Sequence, residues 1–159
     1  MSSSSFAADV DRRAPVIESA EVSVAADRGT VWAVMSDIEA WPSWSKDISS
    51  AELLGPLAPG TEFVWQAGPG TIRSRLVAVE PGSRIGWTGS TMGIRAVHQW
   101  RIEEQGDRTR VVTDESWSGL LPWLLRAPMR SRLRTSLREG LTYLQAEAER
   151  RATLARGSS

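Results

Sequence analysis

Between residues 51 and 117 the chain consists of short runs of alternating apolar and polar residues, separated by glycine, proline and other turn residues. The predicted strands are 51–54, 61–66, 71–79, 84–89, 94–104 and 108–117. A period of two residues places every second side chain on the same face of a sheet, and the intervening turn residues favour hairpins. The pattern therefore predicts an antiparallel meander with one apolar face.

Four hairpins in this meander can be compared, because a slip of one residue moves every side chain of a strand to the other face. The registers follow from four-residue turns at three positions and a two-residue turn at the fourth: 67–70, 80–83, 90–93 and 105–106. All four registers place the same apolar set on one face. Val77 and Val79 have the opposite parity, which predicts a β-bulge near Val77.

The segment before the meander predicts another strand and two short helices. Residues 16–24 alternate like a strand with one wet face, and Asp27 is the expected cap of a helix at 28–36. The motif Trp41-Pro42-Ser43-Trp44 interrupts this helix and leads into a second short helical turn or a loop near 45–48.

An apolar stripe near the end of the chain predicts a long amphipathic helix from about Met129 to Arg151. The stripe consists of Leu133, Leu137, Leu141, Leu144 and Ala148. Pro128 should kink or restart this helix. The stripe and the apolar sheet face bury each other if the sheet wraps the helix. The sequence therefore predicts an α+β fold, a seven-stranded antiparallel sheet around the C-terminal helix with a cavity between them.

The length and composition fit one domain without a metal. We expect a disordered tail at 1–14, a single folded domain at 15–152 and a second disordered tail at 153–159. Nineteen Lys plus Arg residues balance nineteen Asp plus Glu residues, so no basic field favours nucleic acid. The chain has no cysteine and one histidine, which excludes thiolate zinc and multi-histidine sites. We expect no metal and no cofactor.

The cellular location is inferred from two absences. No apolar run reaches membrane-spanning length, and the first residues lack the basic start and apolar run of a signal peptide. These absences predict a cytoplasmic protein. The sequence leaves its oligomeric state open.

Eight of the eleven aromatic residues are tryptophans. Four of them, Trp65, Trp87, Trp100 and Trp117, fall on the inward parity of the predicted sheet. Indole is large and flat with one N–H donor, so it suits the wall of a cavity for an apolar ligand. The alternative is that tryptophan fills the core of a protein poor in Phe and Tyr. A close-packed core rarely needs so many indoles on one face, which favours the cavity.

The inward face is apolar with a few polar positions, and the facing helix stripe completes the predicted cavity wall. The expected ligand-binding residues are Glu18, Phe63, Trp65, Ser74, Leu76, Trp87, Trp100, Thr113, Trp117, Leu133 and Leu137. Glu18 belongs to the first strand.

His98 and Glu115 are the predicted catalytic pair. The register pairs His98 with Thr113 and places Glu115 diagonally beside it. Imidazole titrates near neutrality and a neighbouring carboxylate fixes its tautomer, which suits a general acid and base in a dry cavity. We expect the two side chains to meet, with the carboxylate raising the histidine pKa more than burial lowers it. Ligand hydrogen bonding and a satisfied structural pair are the alternatives.

A basic run without acidic residues begins the last helix, after an apolar segment at 120–125. Its arginines are Arg126, Arg130, Arg132, Arg134 and Arg138. Anionic membranes and acyl carrier proteins are both acidic. The run therefore indicates docking to one of them through Arg126, Arg130, Arg132 and Arg134. The alternative is a solvated helix face whose apolar start covers the mouth of the cavity.

Several short motifs at the ends of the predicted elements match a known superfamily. They are Val22-Ser23-Val24-Ala25-Ala26, Val31-Trp32, Ser36-Asp37, Trp41-Pro42-Ser43-Trp44, Glu80-Pro81-Gly82-Ser83-Arg84-Ile85 and Gly119. With the order of elements, they resemble the START/Bet v 1-like (SRPBCC) superfamily, and more narrowly its polyketide cyclase/dehydrase-like branch. The resemblance covers 16–151 and implies the helix-grip fold, in which the first strand pairs with the last and brings Glu18 near Glu115. The functions it implies range from aromatases, cyclases and dehydratases to lipid and quinone carriers.

Two functions of different classes fit these observations. The favoured one is a carrier or binding protein for a flat apolar molecule, such as a polyketide, isoprenoid or lipid, in an enclosed cavity. The other is a cyclase, aromatase or dehydratase in which the cavity folds the substrate and His98 with Glu115 moves protons. The inward histidine favours the enzyme, and the lack of an inward arginine or tyrosine favours the carrier. A regulatory protein-interaction role is a third alternative.

Overall fold

A seven-stranded antiparallel sheet curves around the long C-terminal helix in the structure, a computed structural model that describes residues 9–159. The strands are β1 (Val16–Val24), β2 (Ile48–Leu53), β3 (Glu62–Ala67), β4 (Gly70–Glu80), β5 (Arg84–Thr91), β6 (Ile94–Gln105) and β7 (Arg108–Ser118). Their order across the sheet is β1-β7-β6-β5-β4-β3-β2. The pairing of the first strand with the last is thus as predicted.

Within residues 9–159, four α-helices accompany the sheet: α1 (Arg28–Ser36), α2 (Trp41–Trp44), α3 (Leu120–Leu124) and α4 (Arg126–Gly157). A short 3-10 turn at Ile38–Ala40 joins α1 to α2. The second short helix thus lies at the Trp-Pro motif itself rather than near 45–48, because proline is tolerated in the first turn of a helix. Asp27 caps α1 as predicted, because its Oδ1 accepts the backbone N–H of Thr30 at 2.8 Å. The α+β helix-grip prediction, with short helices after the first strand, is confirmed.

The core lies between the inward face of the sheet and one side of α4. The buried residues of α4 recur every three or four positions: Leu133, Leu137, Leu141, Leu144, Ala148 and Ala152. They face buried sheet residues that include Ile85, Ile102 and Val111. The sheet therefore buries its apolar face on one helix stripe, as the two periodicities require.

The register of the early hairpins agrees with the predicted one. Phe63 pairs with Ser74 and Leu76 with Trp87. The register shifts between Leu76 and Ala78, which is the position of the predicted bulge.

The β5–β6 register differs from prediction by two residues. The turn consists of Met92 and Gly93, both with positive φ, rather than the four residues 90–93. Trp87 consequently pairs with His98 instead of Ala96. Two-residue hairpin turns with positive φ match the twist of the strands, and methionine rarely adopts this conformation, so the sequence did not indicate it.

The β6–β7 register is also displaced by two residues. The turn is at Gly106-Asp107 rather than 105–106, so His98 pairs with Glu115 instead of Thr113. A displacement of two preserves the face of every side chain. The predicted diagonal neighbours are therefore direct partners.

The ends of the folded chain extend beyond the predicted domain limits. Asp11 donates its backbone N–H to the Ser116 hydroxyl, which places residues of the expected N-terminal tail against β7. At the other end α4 continues to Gly157, so most of the expected tail at 153–159 is helical. The prediction for residues 1–8 falls outside the described residues. Pro128 lies in the first turn of α4, where the missing N–H is tolerated.

Candidate functional site

A cavity of about 490 Å³ lies between the sheet and the first half of α4. Its wall combines residues of β3 to β7 with residues of α1, α2 and α4. Six of the eight tryptophans line it: Trp41, Trp44, Trp65, Trp87, Trp100 and Trp117. The surface of the cavity is thus mostly apolar, and indole rings contribute to it on several sides.

Ring contacts hold the indoles at one side of the cavity in place. Trp41 meets Trp65 edge to face with 5.9 Å between ring centroids, and it lies 5.4 Å from Trp87. The Trp41 Nε1–H donates to the Met35 carbonyl at 3.0 Å. Phe63 packs behind Trp41 and Trp87. These mutual contacts keep the rings from collapsing into the space they surround.

His98 lies between two indoles on the cavity wall. Its ring centroid is 4.7 Å from that of Trp87 and 5.5 Å from that of Trp100. Its Nδ1 is 3.3 Å from Glu115 Oε2, and its Nε2 is 2.7 Å from Thr113 Oγ1. Both imidazole nitrogens therefore have partners on β7.

Glu115 completes a hydrogen-bonded chain at this position. Its Oε1 accepts the Trp117 Nε1–H at 2.7 Å, which leaves Oε2 to face His98. A protonated Glu115 can donate to Nδ1, and then Nε2–H donates to Thr113. An ionised Glu115 instead accepts from Nδ1–H, and then Nε2 accepts from the Thr113 hydroxyl. One proton on Glu115 thus decides the tautomer of His98.

Burial controls the ionisation of this pair. It raises the pKa of Glu115 to about 7, although the hydrogen bond from Trp117 acts in the opposite direction. It lowers the pKa of His98 to about 3. The prediction that the carboxylate would raise the histidine pKa is wrong, because loss of solvation around both groups outweighs their attraction. Near neutrality His98 is uncharged and Glu115 exchanges a proton.

The cavity opens to solvent where the β5–β6 hairpin meets α3. Met92 at the hairpin tip and Leu121 of α3 belong to the wall, and both are exposed. The backbone approaches closely here: a Cβ on Gly119, whose φ is +125°, would lie 2.5 Å from the Gly93 carbonyl oxygen. Exposed residues therefore take part in the wall at this end of the cavity.

Residues 17–149 match a protein family described as polyketide cyclase / dehydrase and lipid transport. The chain belongs to this family. The match spans nearly the whole folded region, including both members of the buried pair. No curated protein matches the chain.

Solved structures show the same fold at low sequence identity. A hypothetical protein from Helicobacter pylori aligns with a TM-score of 0.79 and 18% identity, covering 93% of this chain and 99% of that one. The Zhui aromatase/cyclase from Streptomyces sp. R1128 aligns with a TM-score of 0.75 and 20% identity, covering 85% and 94%. A START superfamily protein from Mycobacterium smegmatis aligns with a TM-score of 0.69 and 21% identity, covering 87% and 98%.

In this member of the family, most of the predicted site residues lie on the cavity wall. They are Trp65, Ser74, Trp87, His98, Trp100, Glu115, Trp117 and Leu137. The Ser74 hydroxyl accepts the Trp65 Nε1–H at 3.1 Å. This hydrogen bond satisfies the indole N–H of Trp65 within the sheet.

Five predicted ligand-binding residues lie away from the wall. Phe63 and Leu76 are completely buried in the core, and Leu133 packs in a smaller cluster beside Val16. Thr113 forms a hydrogen bond with His98 through its hydroxyl but does not line the cavity. Glu18 turns towards α4, where it forms ion pairs with Arg130 and Arg134. Strand parity placed four of these residues on the inward face, and helical spacing placed Leu133 on the apolar stripe of α4. The position along the strand or helix decides whether a residue reaches the cavity.

The wall also contains residues that strand alternation could not identify. Those outside the sheet are Met35, Trp41, Trp44, Ser45, Asp47, Pro69, Met92, Leu121, Met129, Arg132, Ser136, Gly140 and Leu144. The Trp41-Pro42-Ser43-Trp44 motif was the available signal for the aromatic members. On α4, three- and four-residue spacing beside the apolar stripe could have indicated Met129, Ser136 and Gly140.

Two further observations concern residues 9–159 only. No helix in this part of the chain is long and apolar enough to cross a bilayer. No three acidic or histidine side chains in it come together as ligands for a cation.

Proposed function

We propose that the protein binds a flat apolar small molecule, such as a polyketide, isoprenoid or lipid-like compound, as a carrier or binding protein. The observation that carries this proposal is the cavity of about 490 Å³ with six indoles in its wall. Small-molecule sites have volumes of roughly 300–1,000 Å³ and mostly apolar walls with a few polar groups. The family description, which names lipid transport, supports the same class of ligand.

The polar groups in the wall add a requirement on the ligand. Glu115 and His98 lie together on one side of the wall, where 13% and 11% of their side chains remain exposed. A ligand with one carbonyl or hydroxyl group on an otherwise apolar ring system fits this distribution. A purely aliphatic ligand would cover the exposed part of this pair without forming a hydrogen bond to it.

A variant that fills the cavity tests the proposal. A Cβ on Gly140 would point at the Trp100 ring, 3.8 Å from its Cη2, so the side chain of Gly140→Leu should occupy the space beside this ring. We expect at least about a tenfold loss of affinity for the apolar fluorophore N-phenyl-1-naphthylamine. Leucine is also a better helix former than glycine, so α4 should be retained.

The matched control is Gly157→Leu at the far end of the same helix. A Cβ there has no neighbour within 4 Å. This control should bind the fluorophore like the wild type. Equal binding by wild type and Gly140→Leu would contradict the proposal. Native mass spectrometry of the purified protein would then identify any bound compound and its class.

A second function, cyclisation or dehydration of a polyketide-like substrate, is favoured by the pKa of Glu115. A carboxyl group with a pKa of about 7 is half ionised near neutrality. Its ionised form can remove a proton from carbon next to a carbonyl, and its protonated form can give a proton to a departing hydroxyl, which leaves as water. The structural similarity to an aromatase/cyclase adds support at the level of fold.

Turnover of a poly-β-keto N-acetylcysteamine thioester tests this second function. In Glu115→Gln we expect at least about a hundredfold loss of turnover, because the amide cannot exchange a proton near neutrality. His98→Gln should also lose turnover while N-phenyl-1-naphthylamine binding is nearly unchanged. If His98→Gln instead unfolds at much lower denaturant concentration, the pair is structural. If the wild type shows no turnover, the binding function is the only one of the two that stays supported.

A further inference from the structure

Helix α3 and the residue after it leave large apolar side chains in solvent. Leu120 is 71% exposed, Leu124 is 59% exposed and Trp123 is 58% exposed. The other two leucines of this segment are exposed as well, and only Pro122 is buried. A contiguous apolar patch of this kind on a folded domain marks a contact surface.

The first half of α4 adds positive charge beside this patch. Residues 126–138 contain five arginines and no acidic residue. Arg130 and Arg134 lie 3.6 Å and 2.9 Å from Glu18, whose single negative charge balances one of their two positive charges. Among residues 9–159, Arg126, Arg132 and Arg138 form no ion pair. The chain as a whole has no net charge, so this region is a local positive excess.

The combined surface is called the docking face: residues 120–125 with Arg126, which follows them directly, and Arg132, which lines the same cavities as Leu121 and Leu125. A second copy of the chain fits it poorly, because a two-fold interface would set the unpaired arginines of both copies against each other. An acidic protein partner fits the charge. However, the six residues 120–125 contain no polar side chain, whereas protein interfaces combine an apolar centre with hydrogen bonds.

We propose that the docking face binds the surface of a membrane that contains anionic lipids. Apolar side chains that project from a short helix in several directions can all be buried in the acyl boundary of a bilayer. Tryptophan favours the interface between acyl chains and headgroups. The unpaired arginines then lie at the level of the lipid phosphates.

The docking face is continuous with the cavity. Leu121, Met129 and Arg132 line the cavity wall, and Leu121 and Arg132 also belong to the docking face. The mouth would therefore open against the bilayer, so an apolar ligand could pass between membrane and cavity without crossing water. This last step rests on the proposed function, whereas membrane binding itself does not.

Vesicle flotation tests membrane binding directly. The full chain is mixed with vesicles of phosphatidylcholine alone, or with vesicles of equal parts phosphatidylcholine and phosphatidylglycerol. We expect binding to the anionic vesicles only, and weaker binding as salt is raised. Arg126→Gln should weaken binding about fivefold, which is the effect of one charge removed near an anionic surface.

The apolar contribution is tested with Leu120→Ser and Leu124→Ser in one chain. We expect at least about a tenfold loss of vesicle binding, because two side chains no longer enter the acyl boundary. The matched control is Leu154→Ser near the far end of α4, where the leucine is 58% exposed. Circular dichroism of each variant should show the wild-type fold, since every changed side chain is exposed. Binding of N-phenyl-1-naphthylamine without vesicles should be unchanged, which separates a failure of docking from a failure of the proposed function.

Three results would overturn the proposal. One is no flotation of the wild type with anionic vesicles at low salt. Another is equal flotation of the wild type and the double leucine variant, which would mean that charge alone attracts the protein. The third is a wild-type dimer, or a complex with an acyl carrier protein, that is lost in the same variants while vesicles are not bound.

Discussion

The space between the sheet and α4 is filled at one end and empty at the other, although the same strands form both ends. At the filled end Val31 of α1 packs with Ile102, Val111 and Ala148, all buried. At the other end the indoles surround the cavity. Branched and small residues can interdigitate, whereas flat rings that support one another edge to face leave a void.

The filled end of this space therefore contributes mainly to stability, whereas the empty end contains the groups that can carry out chemistry. The filled end supplies buried apolar area and the cap of α1. The empty end holds His98 and Glu115, whose pKa values are strongly changed by burial. A group that is costly to ionise there weakens the fold at the pH where it ionises, so the empty end should govern how stability depends on pH.

The largest expected effects concern the free energy of unfolding, which should depend on pH in opposite directions in two variants of the His98–Glu115 pair. In Glu115→Gln only His98 remains, with a pKa of about 3 in the folded protein and an ordinary value of 6.5. The unfolded chain then binds more protons, so stability should rise by several kcal/mol as pH increases from about 3 to 6.5. Denaturant unfolding at a series of pH values measures this rise.

In His98→Gln only Glu115 remains, with a pKa of about 7 in the folded protein and an ordinary value of 4.5. The folded protein then binds more protons, so stability should fall as pH increases from 4.5 to about 7. In the wild type the two effects oppose each other between 4.5 and 6.5 and should largely cancel. Ile102→Val at the filled end serves as the control and should keep the wild-type profile. A rising profile in His98→Gln would contradict the assignment.

A smaller effect should distinguish neighbouring leucines of α4. Leu141 and Leu137 are equally buried, but only Leu137 lines the cavity. Leu141→Ala should lower the free energy of unfolding by about 4 kcal/mol, since it creates a new void. Leu137→Ala should cost only about 2 kcal/mol, because the lost volume joins a space already open to solvent. Urea unfolding of both variants gives the comparison, and equal losses would mean that the two ends are packed alike.

The smallest effect concerns the pKa of Glu115. Trp117→Phe removes the N–H that Glu115 accepts, and this hydrogen bond lowers the pKa of the carboxyl group. The pKa should therefore rise above about 7, by less than about one pH unit. A ¹³C NMR titration of the labelled glutamate carboxyl groups measures it. Trp32→Phe, which leaves the site untouched, should give the wild-type value.

The sequence determines which face each strand residue occupies, but not which residue lies opposite. Alternation is a local property, so Trp87, His98 and Trp100 could be placed on the inward face. A displacement of two residues keeps every face, so the pattern could not reveal that Met92 and Gly93 form the turn. The direct opposition of His98 and Glu115 depends on such details.

The candidate site was predictable where strands form it and less so elsewhere. Trp44 and Met129 reach the cavity because of how α2 and α4 pack on the sheet, which depends on tertiary contacts. The predicted direction of the pKa shift of His98 was wrong for a similar reason. The balance between burial and attraction depends on the completeness of the indole walls, and composition does not give this.

The hydrogen bonds at His98 have a practical consequence, since the chain contains no other histidine. Nδ1 faces Glu115 and Nε2 faces Thr113, so each protonation state of the carboxyl group corresponds to one imidazole tautomer. The ¹⁵N resonances of a histidine-labelled sample should therefore arise from this one ring, without overlap. They provide an internal spectroscopic reporter that registers the proton on Glu115, and any molecule that enters beside it, in the unmodified protein.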